Sequence, residues 1–372
     1  MIRFADLLAK GLRERGLTVE IISPRPKLLG KNFNPNKGLG KWLGYVDKWI
    51  LFPMTLRRFI QKREHEFANR VSYHICDHSN APYLAHLPRA RTAITCHDVL
   101  AIRGAMGYTD AYCSASRTGK ILQRWILKHL SNSQRLACVS QLTLDQLCEI
   151  AAIKNPRAGW KVVHNAFNAD FRELPKNEAM EILRQKGIVL PQPFLLHVGS
   201  NLPRKNRALL LQLFKSGNQP WPGHVCFAGE PMDAGLTETA QTIGILDRTH
   251  SVPKPDHTTL CALYSLAHAF IFPSFSEGFG WPLIEAQACG TPVIASHLKP
   301  LPEVSGGAAL FADPHDATSF ASALELLNNE TVRESFVEKG KKNIARFDVR
   351  QMVEKYIQLH EAKLDETVAT TT

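Results

Sequence analysis

Residues 271–303, IFPSFSEGFGWPLIEAQACGTPVIASHLKPLPE, decide how the rest of the chain is read. The apolar run from Ala269 to Phe272 is a buried strand, ended by Pro273-Ser274, and the loop Glu277-Gly278-Phe279-Gly280 follows. Pro282 stands where the first helical residue is expected, because its missing N–H costs nothing there. The helix runs from Leu283 to Cys289, Gly290 stops it, and Pro292 to Ala295 is a second buried strand. Strand, glycine-rich turn and helix N-terminus aim free backbone N–H groups and a positive helix end at one point. An anion such as a phosphate, or an oxygen-rich sugar, suits that point. Glu277 and Glu285 flank it, and a carboxylate that accepts from two adjacent hydroxyls holds a sugar diol well.

A second chemical signal lies upstream in GSNLPRKN. Gly199 ends the strand Phe194–Val198 and lets backbone approach a ligand, while Arg204 and Lys205 set two cations before the helix that Asn206 opens. Fixed cations are what a leaving nucleoside diphosphate needs as its negative charge develops. Other signatures are missing. No G-x-G-x-x-G follows a strand, and there is no Walker loop, no H-E-x-x-H and no D-x-D.

Glu277 and Glu285 with seven residues between them, the intervening GFGWPLI and the following ACGTPVIAS resemble the E-x7-E signature of retaining GT-B glycosyltransferases of family GT4. The resemblance runs from the first helix to the last, with its specific motifs in 197–303. It implies an α/β fold of two Rossmann-like, doubly wound parallel-sheet domains facing a cleft. Residues 1–170 would form the acceptor domain, 171–348 the nucleotide-sugar donor domain, and the helix 349–363 would pack back on the first. It further implies that Arg204 and Lys205 bind the donor diphosphate and that Glu285 holds the nucleotide ribose. Glu277 and the backbone of Gly278, Phe279 and Gly280 would hold the transferred sugar. Gly199, Asn206 and Leu283 complete the donor site, and His97 faces the sugar from across the cleft. The implied reaction retains configuration at the anomeric carbon and needs no metal or other cofactor, the two cations neutralising the leaving group. Two rival readings keep the fold: a nucleotide-sugar epimerase, and a non-catalytic protein that binds a nucleotide sugar.

Along the first half, Ile2 to Arg15 has helical apolar spacing (Ile2, Ala5, Leu8, Leu12), Gly16 closes it, and Thr18 to Ser23 reads as a strand. In the resembled family a strand and a glycine-rich turn precede this helix. This sequence holds neither, so the resemblance implies an N-terminal sheet without its first strand. Strands are expected at Val71–Cys76, Thr92–Cys96, Arg135–Val139 and Lys161–Val163, and the strand ends place His78, His97 and Asp98 at the ligand edge. The late helices fall at about 315–327, 330–345 and 349–363, and the tail 365–372 reads as disordered.

Composition sets the class. The 372 residues are 44% hydrophobic and 21% charged, as in a globular protein of about two domains. No run approaches the ~18 apolar residues that a membrane helix needs. The eight cysteines fall mostly in apolar runs without C-x-x-C, which points to reduced core thiols of a cytoplasmic protein and excludes a disulfide framework. The net charge of +11 is concentrated: residues 25–63 hold ten Lys/Arg against the single acid Asp47, or +9. A row of Trp42, Trp49, Phe52, Leu56 and Phe59 recurs through this segment at helical spacing. An aromatic and basic amphipathic helix suits an anionic membrane face, and hence a glycan or lipid-linked acceptor. No nucleic-acid-binding motif accompanies the charge.

Overall fold

The computed structural model describes residues 2–24, 28, 38–68, 70–218 and 220–362. Among the described residues two parallel sheets carry the fold. The first has four strands in the order β1 (Tyr73–Ile75), β2 (Thr92–Cys96), β3 (Arg135–Cys138) and β4 (Trp160–Val162). The second has six: β5 (Phe194–Gly199), β6 (His224–Gly229), β7 (Thr249–Pro253), β8 (Ala269–Phe272), β9 (Val293–Ser296) and β10 (Leu310–Ala312), ordered β10-β9-β8-β5-β6-β7. The central strands β2, β3, β8 and β9 are buried along their whole length, as helices covering both faces of a parallel sheet require. Ile94, Leu136 and Cys138 face one core of the first sheet; Ala93 and Ala137 face the other.

The second sheet reverses its strand order at β5, which pairs with β6 on one side and with β8 on the other. Loops that leave the carboxyl ends of β5 and β8 therefore emerge side by side. In open α/β sheets that switch point is where ligands bind. The sequence pattern picked out these two loops separately; the strand order brings them together.

The first helix, Ile2–Glu14, and the last, Val349–Glu361, pack on the same face of the first sheet, joining Phe4 and Leu8 to Met352, Val353, Tyr356 and Leu359. The chain thus crosses between the halves twice, once after β4 and once before the last helix. The two crossing segments touch: Phe167 N–H donates to the Phe347 carbonyl at 3.3 Å.

The expected strand Thr18 to Ser23 is not one. Residues 17–24 take no regular structure, and Ile21 and Ile22 are exposed. Its β-branched run has the composition of a strand, but among the described residues no strand lies beside it, and strand structure requires a hydrogen-bonded neighbour. The expected helix from Trp42 is continuous but irregular: Gly38–Val46 is α-helical, Asp47–Leu51 is a π-turn and Phe52–Glu66 is α-helical with Pro53 in its first turn. The apolar row corrects likewise. Phe52 and Leu56 are core residues and Trp49 packs on Tyr83 and Trp125, so the side chains turned outward are Trp42, Ile50 and Met54. Arg25, Lys27, Lys31 and Lys37 of the basic segment, and the tail 365–372, lie outside the described residues.

Candidate active site

The loop after β5 makes a single 3-10 turn, Pro203–Lys205, and Asn206 then takes a left-handed backbone (φ 51°). The Asn206 amide holds that corner by donating to the carbonyls of Pro273 and Pro314, at 3.2 and 2.7 Å. This turn directs Lys205 and Arg204 at the loop after β8. The Lys205 ammonium donates to Glu277 Oε1 at 2.5 Å, and Arg204 Nη1 lies 2.8 Å from Glu277 Oε2 and donates to the Ser276 carbonyl at 2.8 Å. Glu277 and Lys205 are both buried. Burial alone would raise the Glu277 carboxyl, but Lys205 and Arg204 bring it below the ordinary carboxylate range. Burial pulls the Lys205 ammonium down, opposed by Glu277. Two cations against one carboxylate leave the cluster with a net positive charge at the mouth of the switch point.

Glu285, also buried, stands on the helix Trp281–Ala288. Its Oε2 accepts from the Tyr264 hydroxyl at 3.1 Å. Burial dominates here and pushes the carboxyl up to about 7, the Tyr264 bond working the other way. The two glutamates of one motif thus sit in opposed surroundings: Glu277 is held charged by cations, whereas Glu285 is close to balanced between its forms at neutral pH. Gly199, at the end of β5, packs beside the aliphatic stem of Lys205. Phe279 and Leu283 are buried in the core that backs the site, so they shape it from behind.

The halves meet at Gly278. Its carbonyl accepts from the hydroxyls of Ser140, at 2.7 Å, and Thr143, at 3.3 Å, both from the loop and helix after β3. A β-carbon at Gly278 would overlap the carbonyl oxygen of His97, so only glycine allows this approach. His97 is thereby brought against the loop after β8. Its Nε2 lies 3.0 Å from the Cys76 carbonyl, an acceptor only, so Nε2 carries the proton. Burial lowers the ring to about 4, so it is a neutral imidazole whose Nδ1 is left to accept. Further along, Glu303 accepts from the Gln141 N–H, 3.0 Å from each carboxylate oxygen, and lies 2.8 Å from His164 Nε2.

The structure therefore brings together Arg204, Lys205, Glu277, Gly278 and the backbone of His97, while the hydrogen-bond partner of Glu285 is Tyr264. Sequence reasoning missed Tyr264, Ser140, Thr143 and the His164–Glu303 pair. Glu303 lies inside the stretch that opened the reading, but nothing local marks its partner 139 residues away. His78 is a buried neighbour of Asp77, its Nδ1 3.7 Å from that carboxylate.

With this geometry in hand, comparison with known proteins decides the family. Residues 2–171 match the family described as Glycosyltransferase Family 4, and residues 179–343 match Glycosyl transferases group 1. The chain belongs to the GT4-like glycosyltransferases. It is similar to O-antigen chain mannosyltransferase B of Escherichia coli, 27% identical over 331 residues that span 85% of this chain and 81% of that protein. Among solved structures it is similar to a glycosyltransferase from Rickettsia africae (TM-score 0.70, 15% identity, 96% and 93% covered). It also resembles Anabaena HepE in complex with UDP-glucose (TM-score 0.62, 16% identity, 87% and 84% covered). The fold is GT-B, and the protein is a nucleotide-sugar glycosyltransferase of the hexosyltransferase kind, acting in polysaccharide synthesis.

Proposed function

We propose that this glycosyltransferase moves a hexosyl group, with retention and without a metal, from a nucleotide sugar to a hydroxyl of a glycan or lipid-linked acceptor. The observation that carries the reading is the convergence of Arg204 and Lys205 on Glu277 at the β5–β8 switch point. As the anomeric carbon–oxygen bond breaks, negative charge grows on the diphosphate. The two cations stabilise it there more than they stabilise the bound donor, which is the condition for lowering a barrier. The acceptor oxygen bonds to the same face of the anomeric carbon, and its proton passes to a donor phosphate oxygen. Glu285 takes the ribose hydroxyls, Glu277 and the Gly278–Gly280 backbone orient the sugar, and neutral His97 accepts from a sugar hydroxyl through Nδ1. The donor site belongs to 171–348 and the acceptor site to 1–170. The mannosyltransferase relative supports a mannosyl donor, and the UDP-glucose complex of the fold relative makes UDP-glucose the first alternative.

We also assign the protein to the cytoplasmic membrane face. Trp42, Ile50 and Met54 project outward along 42–54, and Arg57, Arg58 and Lys62 are exposed on the helix that follows. No helix among the described residues is long and apolar enough to cross a membrane.

The test is a thermal-shift screen of GDP-mannose and UDP-glucose, followed by turnover on lipid-linked and free glycan acceptors with and without EDTA. The anomeric configuration of the product is read by NMR. Transfer that persists in EDTA and retains configuration is the expected result. A strict Mg²⁺ or Mn²⁺ requirement, or an inverted product, refutes the mechanism.

A further inference from the structure

The loop between the helices Leu100–Met106 and Arg117–Ser131 contains no motif, yet it carries one aromatic ring across to the donor loop. Its base is rigid. The buried Arg103 guanidinium donates to Asp110 at 3.1 and 2.7 Å and to Glu149 at 2.5 Å, and lies 4.0 Å from the centre of the Tyr108 ring. A β-carbon at Gly104 would overlap the Cys113 carbonyl, so the loop lies flush on the helix only because glycine is there. Between these anchors Tyr112 takes a left-handed backbone (φ 49°, ψ 29°), which side-chain-bearing residues rarely adopt.

That conformation sets the Tyr112 ring flat on Phe275, centroids 4.9 Å apart and planes 12° apart. Phe275 is stacked in turn with His315, at 4.7 Å and 28°. Phe275 is also tied to the charge cluster, since its N–H donates to the Arg204 carbonyl at 2.8 Å. Tyr112 remains 37% exposed, too open for a core residue of its own half. A strained backbone that presents an exposed ring to the opposite half has no account within the first sheet's own packing; it has one at the donor loop.

We propose that Tyr112 is a positioning residue, whose stack on Phe275 clasps the first half of the chain onto the donor loop. The clasp keeps Arg204 in register with the leaving diphosphate and keeps water from the reacting carbon. This rests on the glycosyltransferase reading given above. A stack needs the ring and not the hydroxyl, so Tyr112→Phe preserves it and Tyr112→Ala removes it.

Two measurements test the clasp. Hydrogen–deuterium exchange of the intact protein reads the amides of 273–280. Donor assays with GDP-mannose and with UDP-glucose read the ratio of donor hydrolysis to sugar transfer. For Tyr112→Ala we expect exchange and the ratio each to rise about tenfold, the scale set by losing one aromatic pair, with kcat for transfer falling in step. The Kd for GDP or UDP should change less than kcat does, because the Arg204 contact strengthens as the diphosphate leaves. Tyr112→Phe should match wild type throughout. Wild-type exchange and hydrolysis ratio in Tyr112→Ala, or a Tyr112→Phe protein as impaired as Tyr112→Ala, overturns the clasp. A wild-type protein inert toward both donors whose exchange still responds to Tyr112→Ala retains the clasp and refutes the donors instead.

Discussion

Replacing Glu285 by Gln turns the surroundings of that residue into a measurable pH dependence. The folded carboxyl titrates at about 7 against an ordinary 4.5, because burial penalises its charge. Between those values the folded protein holds a proton that the unfolded chain has released. Stability contributed by this group is therefore intact below 4.5 and is lost as pH rises toward and past 7. At 1.36 kcal/mol for each pH unit, the displacement from 4.5 to about 7 amounts to about 3 kcal/mol. Gln has nearly the same shape, accepts from Tyr264 through its carbonyl oxygen, and carries no charge to desolvate. Urea denaturation at pH 5 and pH 8.5 should thus find Glu285→Gln close to wild type at the lower pH and more stable by up to about 3 kcal/mol at the higher. Affinity for the nucleoside diphosphate should fall at both, since the variant lacks the second acceptor oxygen for a diol. A stability difference that is the same at the two pH values refutes the reasoning.

The charge cluster, the close approach at Gly278 and the outward face near Trp42 give three more expectations. Lys205→Met leaves Glu277 buried with Arg204 as its remaining ion-pair partner, so unfolding should become easier by about 3 kcal/mol and turnover should fall about a hundredfold; unchanged values in chemical denaturation and initial-rate assays would count against the pair. Gly278→Ala forces its backbone away from the His97 carbonyl and should cost transfer at least tenfold, with GDP or UDP binding by calorimetry changed much less. Vesicle co-sedimentation should show binding that rises with anionic lipid, falls with salt and weakens in Trp42→Ala, each Lys or Arg near the surface adding about 1 kcal/mol. Indifference to anionic vesicles at low salt would move the acceptor into solution.

Much of the second half was legible because its signals are local. Glu277, Pro282, Glu285 and Gly290 lie within fourteen residues and each has a backbone reason to be where it is. Lys205 and Arg204 were visible as cations but not as partners of Glu277, because that pairing depends on β8 lying next to β5. Strand order is a long-range property, and no spacing within either loop encodes it. Strands β7 and β10 escaped notice for a different reason: THSVP and LFA are too short, and too partly exposed, for alternation to stand out. The run Thr18 to Ser23 failed the other way, since its residues have the right propensity but strand formation depends on a neighbour that propensity does not report. Tyr112 was invisible, as neither its loop nor its backbone angle has a sequence signature.

The hydrogen bond from Phe167 to Phe347 joins the two places where the chain passes between its halves. Seen as mechanics, the halves hang on a pair of pins set close together. Phe279, one residue past the Gly278 contact, meets Phe347 edge-on with ring centroids 5.8 Å apart, so the pins and the seam are near neighbours. A shift of Phe347 is therefore felt at once where the Gly278 carbonyl accepts from Ser140 and Thr143.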